Sequence, residues 1–342
     1  MVKVAAAGGG TGGHLYPLLA ILERIAELEN VEVLYFVVSG KIDERVVKRE
    51  HPEYKVVPLN IRGLLRPLYH PKNFVNVFKI WYSTHVVRNV LRDFKPDAIV
   101  LSGGYVSAAV AFAAKDLGIP IYLQEQNVTP GLATKFSAKF ARKVFLSFEK
   151  SVERFPENLR DKLVVTGLPI REANSGEKPP FEDFVLVLGG SLGSDVINSL
   201  MEKVYEMRKD LFFVHSTGNK EWCERLKSFP HVKAYEYIEN TSVFWKRAKA
   251  VVARAGAATI GEMVYHGVRG VLIPWEGAAE SHQLENAREA ERMGYAVVLR
   301  ESEATPEKVV CAVDEVLKKG RVISKRENPA ITIARTILEE IR

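Results

Sequence analysis

The sequence predicts an α/β protein built from two doubly wound parallel sheets. The chain has 342 residues, 47% of them hydrophobic and 26% charged, which at about 150 residues per domain is enough for two cores. Short apolar runs alternate with helical patterns, as in successive βαβ units. This rhythm restarts after a polar, proline-containing bridge at residues 172–183. The sequence therefore predicts one α/β domain on each side of that bridge.

The apolar runs are continuous rather than alternating, which is typical of strands buried on both faces. In the first half they predict strands at Val2–Ala7, Val33–Val38, Ala98–Leu101, Ile119–Leu123 and Val144–Ser147, with helices from about Leu15 to Leu28 and over Ser107–Leu117. In the second half they predict strands at Phe184–Leu188, Leu211–His215, Ala250–Ala253, Gly270–Ile273 and Ala296–Leu299. We therefore predict domains at 1–164 and 165–324, and a terminal helix within 325–342 that packs back on the first domain.

Each half contains a glycine loop between its first strand and the next helix. Residues 8–13 follow the first strand of the chain, and residues 189–194 follow the first strand of the second half. Glycine lets backbone N–H groups approach an oxyanion, and a helix N-terminus adds a partial positive charge. Ligands of open parallel sheets bind at the carboxyl ends of the strands. The pattern predicts an anion-binding loop in each domain, facing a shared cleft.

The first glycine loop ends in His14. The acidic residue that a dinucleotide-binding loop needs after the second strand is missing, since Val38 leads into Ser39-Gly40-Lys41, and no Gly-Lys-Ser/Thr follows the glycines. A histidine at the mouth of such a loop is well placed to act as a general base. The same position is equally compatible with a structural role, in which His14 only forms hydrogen bonds with the loop. Spacing alone leaves both interpretations open.

Polar residues also follow two other predicted strands of the first half. Gly103, Gly104 and Tyr105 come after one strand, and Gln124-Glu125-Gln126-Asn127 come after the next. Amide and carboxylate groups offer the paired donors and acceptors that sugar hydroxyls require. A loop that satisfies its own backbone is an equally good interpretation.

In the second half, small residues precede a carboxylate at a predicted helix start. Ala257, Ala258 and Thr259 would give a phosphate access to backbone N–H groups, and Glu262 could accept two ribose hydroxyls. The competing interpretation of Glu262 is a helix residue favoured only by the helix dipole. His282, Gln283 and Asn286 share a helical face further on. Together these groups predict a phosphorylated, ribose-bearing sugar donor.

No metal or other cofactor is expected. The motif Asp-x-Asp does not occur in the sequence. The two cysteines, Cys223 and Cys311, are too far apart in sequence to form a metal-binding pair, and neither has a histidine at the spacing of a metal site. So few cysteines fit a reducing cytoplasm. The uncharged stretch at residues 4–22 is rich in glycine and lacks a charged leader, so we expect neither a signal peptide nor a membrane span.

Taken in order, these motifs resemble the MurG family of bacterial glycosyltransferases. The matching residues are the string 9–14 with Pro17, 103–105, 125–127, 167–171, 189–191, 255–257 with Thr259 and Glu262, and Gln283 with Asn286. The resemblance implies a GT-B fold, in which two Rossmann-like domains face a cleft. It implies an inverting, metal-independent transfer of N-acetylglucosamine from UDP-N-acetylglucosamine to undecaprenyl-pyrophosphoryl-N-acetylmuramyl-pentapeptide, converting lipid I to lipid II in peptidoglycan synthesis.

The resemblance also implies roles for individual residues. His14 is the expected base for the muramyl 4-hydroxyl, with Glu125 as the other catalytic candidate. The expected acceptor-binding residues are Gly103, Gly104 and Tyr105. The expected donor-binding residues are Thr11, Gly12, Gly13 and Asn127 of the first half, and Arg171, Ser191, Ile238, Ala257, Ala258, Thr259, Glu262, Gln283 and Asn286.

Positive charge is concentrated in the first half. Residues 1–164 carry 23 Lys and Arg against 16 Asp and Glu, whereas residues 165–342 carry 25 against 26, so all of the net charge of +6 comes from the first half. A lipid-linked acceptor stays in the bilayer, and a basic, apolar surface would bind its anionic face. We expect a peripheral patch on the cytoplasmic side of the inner membrane, formed by Arg62, Arg66, Lys72, Phe74, Phe78, Lys79 and Trp81. The competing interpretation is that the apolar members belong to the core.

Two other functions remain to be weighed. The same fold and donor would serve a UDP-sugar epimerase or a transferase with another acceptor, although an epimerase needs more acid and base groups than His14 and Glu125. A nucleic-acid binder is disfavoured, because no recognised module accompanies the basic pI of 9.1. Contacts with other cell-wall synthesis proteins are compatible with the resemblance.

Overall fold

The computed structural model describes residues 1–63, 72–172, 178–190, 193–238, 241–277, 282–323 and 327–342, with the side chains of 72–75, 77 and 78 excluded. The chain forms two compact units. The first comprises Met1–Arg171 and Glu327–Arg342, and the second comprises Glu172–Arg326. Each is built on one parallel sheet, so the predicted fold class is confirmed.

The sheet of the first unit has seven parallel strands in the order β3-β2-β1-β4-β5-β6-β7. The strands are β1 Val2–Ala7, β2 Val31–Val38, β3 Lys55–Leu59, β4 Ala98–Leu101, β5 Ile121–Glu125, β6 Lys143–Leu146 and β7 Leu163–Val165. The helices are α1 Gly12–Leu28, α2 Ile42–Glu50, α3 Lys72–Phe94, α4 Gly104–Asp116 and α5 Leu132–Ala138, followed by 3₁₀ turns at Glu149–Arg154 and Glu157–Lys162.

The sheet of the second unit repeats this arrangement with six strands in the order β10-β9-β8-β11-β12-β13. The strands are β8 Phe184–Leu188, β9 Phe213–Ser216, β10 Val232–Tyr235, β11 Ala248–Ala253, β12 Gly270–Leu272 and β13 Ala296–Val298. The helices are α6 Asp195–Met207, α7 Lys220–Leu226, α8 Ser242–Trp245, α9 Ala257–His266, α10 His282–Arg292 and α11 Pro306–Lys319. In both sheets the first strand along the chain is central, and it is followed by a glycine loop.

Apolar side chains cover both faces of the first sheet, which is why its strands are apolar without alternation. The last helix, α12 Pro329–Ile341, belongs to this core: its Ile333, Ala334, Ile337 and Leu338 pack with residues of α1 and β1. Asn328 caps α12, accepting hydrogen bonds from Ala330 N at 3.0 Å and Ile170 N at 3.2 Å and donating to Ile170 O at 2.6 Å. These bonds keep residues after β7 in the first unit, so its boundary falls after Arg171 rather than at 164.

Several element bounds differ from those predicted. Helix α1 begins at Gly12 and α4 at Gly104, each three residues before the predicted start, because the loop glycines form the first helical turn. Strand β5 extends through Glu125. The apolar pattern did not reveal β3, an edge strand with a partly exposed pattern and Pro58, nor β7 and β10, which are short and also lie at sheet edges.

None of the helices in the described ranges is long and apolar enough to cross a membrane.

Candidate active site

Two buried residues, Asp43 and Tyr35, hold the first glycine loop in place by hydrogen bonds. Asp43, fully buried at the start of α2, accepts hydrogen bonds from Gly10 N at 3.1 Å and Val38 N at 2.7 Å. A Cβ at Gly9 would lie 2.2 Å from an Asp43 oxygen, so only glycine fits there. Burial raises the pKa of Tyr35 well above its usual value, and its protonated hydroxyl donates to Gly8 O at 2.7 Å. The loop is thus a fixed structure rather than an adaptable one.

His14, in the first turn of α1, is partly accessible and is held by Ser102 at the end of β4. His14 Nδ1 lies 2.7 Å from Ser102 O, and the Ser102 hydroxyl donates to His14 O at 2.6 Å. A carbonyl oxygen can only accept, so Nδ1 must carry the proton. In the neutral imidazole the lone pair is then on Nε2, the nitrogen that a general base would use.

Gln126 makes a second contact with the same ring nitrogen. Its amide nitrogen is placed 2.5 Å from His14 Nδ1, while among the described residues its buried Oε1 has no hydrogen-bond partner. Two donors do not attract one another, and amide oxygen and nitrogen are assigned from the hydrogen-bond network. Exchanging them brings Oε1 to Nδ1–H and agrees with the tautomer that Ser102 requires.

The glycine turn after β4 lies directly against the His14 ring. Gly103 has φ +92°, and a Cβ there would approach His14 Nδ1 and Cε1 to 3.1 Å. Tyr105 lies over the first loop: a Cβ at Gly10 would be 3.5 Å from its hydroxyl, and one at Gly63 would be 3.1 Å from its ring. Gly103 and Tyr105 therefore lie beside the first glycine loop, near His14. At Gly104, where φ is +78°, an added Cβ would lie 3.1 Å from Gly9 O.

Glu125 is buried at the end of β5, and one of its oxygens accepts hydrogen bonds from Asn127 N at 2.9 Å and Asn127 Nδ2 at 3.2 Å. Its carboxylate therefore shapes the turn that carries Asn127. A general base must reach a substrate proton. His14 is partly accessible and meets that requirement better than the buried Glu125. Of the other expected residues in the first glycine loop, Thr11 is exposed, and Gly12 and Gly13 are partly exposed.

In the second unit, Gly189 and Gly193 of the glycine loop after β8 are tightly packed. A Cβ at Gly189 would lie 2.7 Å from Ser194 N, and one at Gly193, where φ is +73°, would lie 2.5 Å from Thr217 O. Ser194 caps α6 by accepting from Ile197 N at 3.3 Å, and it receives a hydrogen bond from buried Arg254 at 2.8 Å. Ser191, the expected donor ligand in this loop, lies outside the described residues.

Helix α9 starts at Ala257 with Gly256 as its N-cap, and no described side chain caps it. Among the described residues, a Cβ at Gly256 would meet only Thr259 Oγ1, at 3.9 Å, and Gly256, Ala258 and Thr259 are partly exposed. The N–H groups from Ala257 to Thr259 have no acceptor within the helix, and their expected role as an anion-binding end stays a prediction.

Glu262 lies one turn further along α9 with both carboxylate oxygens hydrogen-bonded. Thr241 Oγ1 donates to Oε1 at 2.9 Å, and Trp245 Nε1 donates to Oε2 at 2.8 Å. Burial raises the pKa of Glu262 to about 7, although these two hydrogen bonds lower it. Part of the residue remains accessible. The carboxylate is thus preoriented, and it is easily protonated near neutral pH.

The remaining expected donor residues of the second unit lie after β10 and within α10. Ile238 is buried after β10, and Asn286 is buried in α10. Gln283, at the start of α10, accepts a hydrogen bond from Trp275 N at 3.0 Å and so ties the helix to the segment after β12. Strands β10 and β12 end at the same edge of the parallel sheet as the glycine loop.

Arg171 lies in the first unit, where its guanidinium binds two carboxylates. Its Nε donates to Glu23 at 2.7 Å, and its NH1 donates to Glu50 at 2.5 Å. Glu23 also contacts His51 Nε2 at 3.1 Å, and the His51 ring stacks on Tyr54. The guanidinium is therefore already engaged within its own unit, and the diphosphate role expected for Arg171 stays a prediction.

Exposed aromatic side chains lie on neighbouring helices of the first unit. On α3, Trp81 and Tyr82 are 64% and 60% exposed, next to Lys79. On α4 and α5, Phe112, Leu132 and Phe136 are exposed, and Lys115 lies over the Phe112 and Phe140 rings at 5.8 and 4.9 Å. Arg62 is also exposed. Of the other expected patch residues, Arg66 lies outside the described residues, as do the side chains of Lys72, Phe74 and Phe78.

Sequence reasoning missed the residues that support these groups: Asp43, Ser102, Thr241, Trp245 and Arg254. Each acts through a contact with a distant part of the chain, for which no local spacing is diagnostic; Asp43, for example, lies 33 positions from Gly10. Ser102 and Arg254 carried a signal but were assigned no role: Ser102 opens the glycine turn after β4, and Arg254 opens the stretch of small residues that leads into α9. Within the described ranges, no group of three or more His, Cys, Asp or Glu is placed to hold a metal ion.

Comparison with known proteins agrees with the motifs. Residues 4–146 match the model of the glycosyltransferase family 28 N-terminal domain, and residues 184–341 match that of the family 28 C-terminal domain. The chain is 60% and 58% identical, over 100% of both chains, to proteins of Thermotoga neapolitana and Thermotoga maritima, each named UDP-N-acetylglucosamine--N-acetylmuramyl-(pentapeptide) pyrophosphoryl-undecaprenol N-acetylglucosamine transferase. A crystal structure of Acinetobacter baumannii MurG shares the fold, with a TM-score of 0.76 at 23% identity over 99% of this chain and 100% of that one. The chain belongs to glycosyltransferase family 28, and within it to the MurG family that its motifs resemble.

Proposed function

We propose that this protein transfers N-acetylglucosamine from UDP-N-acetylglucosamine to the 4-hydroxyl of undecaprenyl-pyrophosphoryl-N-acetylmuramyl-pentapeptide. The observation that carries the proposal is the 60% identity, over the whole of both chains, to a relative named for this transfer. The geometry adds a histidine whose Nε2 carries a lone pair and a carboxylate whose two oxygens are oriented in advance.

The second unit would bind the donor nucleotide. Glu262 would accept the ribose hydroxyls, and Ile238 would pack against the uracil. The N–H groups from Ala257 to Thr259, with Ser191, would bind the diphosphate, and Gln283 and Asn286 would bind the sugar. The open N-terminus of α9 supports this assignment, because oriented backbone dipoles stabilise the negative charge that develops on the leaving UDP.

The first unit would bind the acceptor through Gly103, Gly104 and Tyr105, with Thr11, Gly12, Gly13 and Asn127 at the donor side. His14 Nε2 would take the proton of the muramyl 4-hydroxyl while that oxygen attacks the anomeric carbon of the donor. The bond from that carbon to the diphosphate oxygen breaks in the same step, and UDP leaves with the bonding electrons. One in-line displacement inverts the anomeric centre and yields a β-linked disaccharide.

The protein would work at the cytoplasmic face of the cell membrane, where its lipid-linked acceptor lies. Trp81, Tyr82, Phe112 and Phe136 supply exposed apolar surface on α3, α4 and α5, and Lys79, Lys115 and Lys135 lie among them. Each such cation near an anionic surface contributes about 1 kcal/mol. Sedimentation with vesicles tests this: we expect tighter binding to anionic than to neutral vesicles, and weaker binding after Lys79→Glu with Lys135→Glu. Lys318→Glu, an exposed change on the second unit, is the control, and equal binding to both vesicles would contradict the proposal.

The transfer itself is tested with labelled UDP-N-acetylglucosamine and the lipid acceptor in detergent. We expect a β-linked disaccharide lipid and stoichiometric UDP, with the same rate in the presence of EDTA. Release of a free 2-epimer would assign the protein to the epimerase alternative. Transfer only to a soluble acceptor would overturn the acceptor assignment while leaving the donor assignment in place.

A further inference from the structure

The Glu262 carboxylate is hydrogen-bonded at both oxygens by donors of one short segment. Thr241 immediately precedes α8, and Trp245 ends it; they reach Oε1 and Oε2 at 2.9 and 2.8 Å. A carboxylate offers about four acceptor positions, so each oxygen keeps at least one for a ligand. The two contacts fix the plane in which those positions lie.

The indole that donates to Oε2 is itself immobilised. Trp245 is fully buried, and its ring is parallel to that of His266, with 6.3 Å between ring centroids and 5° between planes. His266 is the last residue of α9, the helix that carries Glu262. Trp245 is therefore packed against the helix whose carboxylate it binds, and its N–H cannot turn away without breaking both contacts.

We propose that Thr241 and Trp245 are positioning residues for donor recognition: acting through Glu262, they aim one free acceptor position on each oxygen at the two vicinal hydroxyls of a ribose. The inference rests on the proposed function, because it takes the donor to be a ribonucleotide sugar. Two hydroxyls on adjacent ring carbons match two oxygens of one fixed carboxylate. A deoxyribose leaves one of these oxygens unmatched, and such a mismatch is what gives hydrogen-bonding sites their selectivity.

A purely structural role makes a different prediction. If the two donors only satisfy a buried carboxylate, removing one lowers the stability of the protein, or lowers its affinity for all ligands by the same factor. A positioning role instead changes the ratio between ribose and deoxyribose ligands. That ratio is the readout that separates the two interpretations.

The test is calorimetric titration at pH 8 with UDP and with 2′-deoxy-UDP. The variants are Thr241→Val, which keeps the shape and removes the hydroxyl, and Thr241→Ser, which restores it. We expect the wild type to prefer UDP about tenfold or more, the Val variant to lose most of that preference through about three- to tenfold weaker UDP binding, and the Ser variant to recover it. Trp245→Phe is expected to act like the Val variant if thermal melting shows it folded; otherwise the two Thr241 variants decide.

Thr336→Val, on α12 of the other unit, is the matched control and should leave both affinities unchanged. Undiminished preference for UDP in folded Thr241→Val would overturn the inference while leaving the proposed function intact. Equal binding of both nucleotides by the wild type would also overturn it. A wild type that binds neither nucleotide would overturn the proposed function together with the inference.

Discussion

Ser102 contacts His14 at two points: its carbonyl oxygen accepts from Nδ1 at 2.7 Å, and its hydroxyl donates to the His14 carbonyl at 2.6 Å. The two residues follow different strands of one sheet, β1 and β4, which are direct neighbours. One residue thus fixes both the ring and the backbone of the other. These two hydrogen bonds set the orientation and the tautomer of the imidazole. They therefore leave Nε2 available to accept a proton.

The first prediction concerns this pair. His14→Ala should lower kcat for transfer to the lipid acceptor by about 10²- to 10⁴-fold, the usual contribution of a general base. The KM for UDP-N-acetylglucosamine should change little, because His14 is not among the expected donor-binding residues and most of these lie in the other unit. Ser102→Ala keeps the carbonyl and loses only the hydroxyl, so a fall of at most about tenfold is expected. Turnover of His14→Ala at the wild-type rate would refute the assignment of the base.

The second prediction compares two glycines that both have a positive φ. Gly103 and Gly118 have φ of +92° and +67°, but a Cβ at Gly103 meets the His14 ring and Thr134 Oγ1, whereas one at Gly118 meets no described atom within 4 Å. Both alanine variants should lose about 1 to 3 kcal/mol of unfolding free energy, because residues with a Cβ rarely adopt a positive φ. The loss should be larger at Gly103, whose ψ of −169° places it in a region that is almost restricted to glycine. Only Gly103→Ala should also lose activity, about tenfold or more, because the ring must shift. Equal activity losses in the two variants would show that the contact with His14 is unimportant.

The motifs that sequence reasoning recognised are those confined to one strand end. The glycine loops, the 103–105 turn and the start of α9 are each a local string, so their chemistry can be predicted from order and spacing. What fixes them is not local: Asp43 reaches Gly10 across 33 residues, and Trp245 reaches Glu262 across 17. Arg171 shows the same limit, because residues 166–171 follow a short edge strand and Ile170 is held by Asn328, 158 positions away.

A third prediction concerns the pH dependence of donor binding. Burial raises the pKa of Glu262 to about 7, and ribose hydroxyls that donate to the carboxylate favour its charged form. Binding should therefore release a proton, so affinity falls as pH drops from 8 to 6, approaching a tenfold loss per unit below the pKa. Burial also lowers the pKa of neighbouring His266 to about 4, which keeps that ring neutral over this range.

The measurement is titration with UDP-N-acetylglucosamine, whose diphosphate diester does not titrate between pH 6 and 8. Glu262→Gln should bind more weakly at pH 8 and show a flat profile. A wild-type profile as flat as that of the variant would mean that Glu262 does not change charge on binding.

The fourth prediction concerns the cluster that holds Arg171. Although burial opposes the shift, hydrogen bonds from His51 and Arg171 hold the pKa of Glu23 below 4.5. Burial lowers the pKa of His51, but the hydrogen bonds that its ring donates to Glu23 and Glu53 outweigh burial and hold this pKa above 6.5. Glu23→Gln should cost the first unit about 1 to 3 kcal/mol, between the values for exposed and buried ion pairs.

The signs of the two shifts define a pH window for this cost. Because the pKa of Glu23 is lowered, its charge stabilises the folded protein above pH 4.5, and this contribution is lost as pH falls through the pKa of Glu23 in the folded state. Because the pKa of His51 is raised, its charge stabilises the folded protein below pH 6.5, and this contribution is lost as pH rises through the pKa of His51 in the folded state. The stability difference between wild type and Glu23→Gln should therefore be largest between about pH 4.5 and 6.5. At higher pH, where His51 is neutral, the wild type keeps the pairing of Glu23 with Arg171. Hydrogen exchange in peptides from α2 and residues 165–171 measures it locally. Glu53→Gln, at a side chain 62% exposed, should cost under about 0.5 kcal/mol, and a cost as large as that of Glu23→Gln would contradict the central place of Glu23 in the cluster.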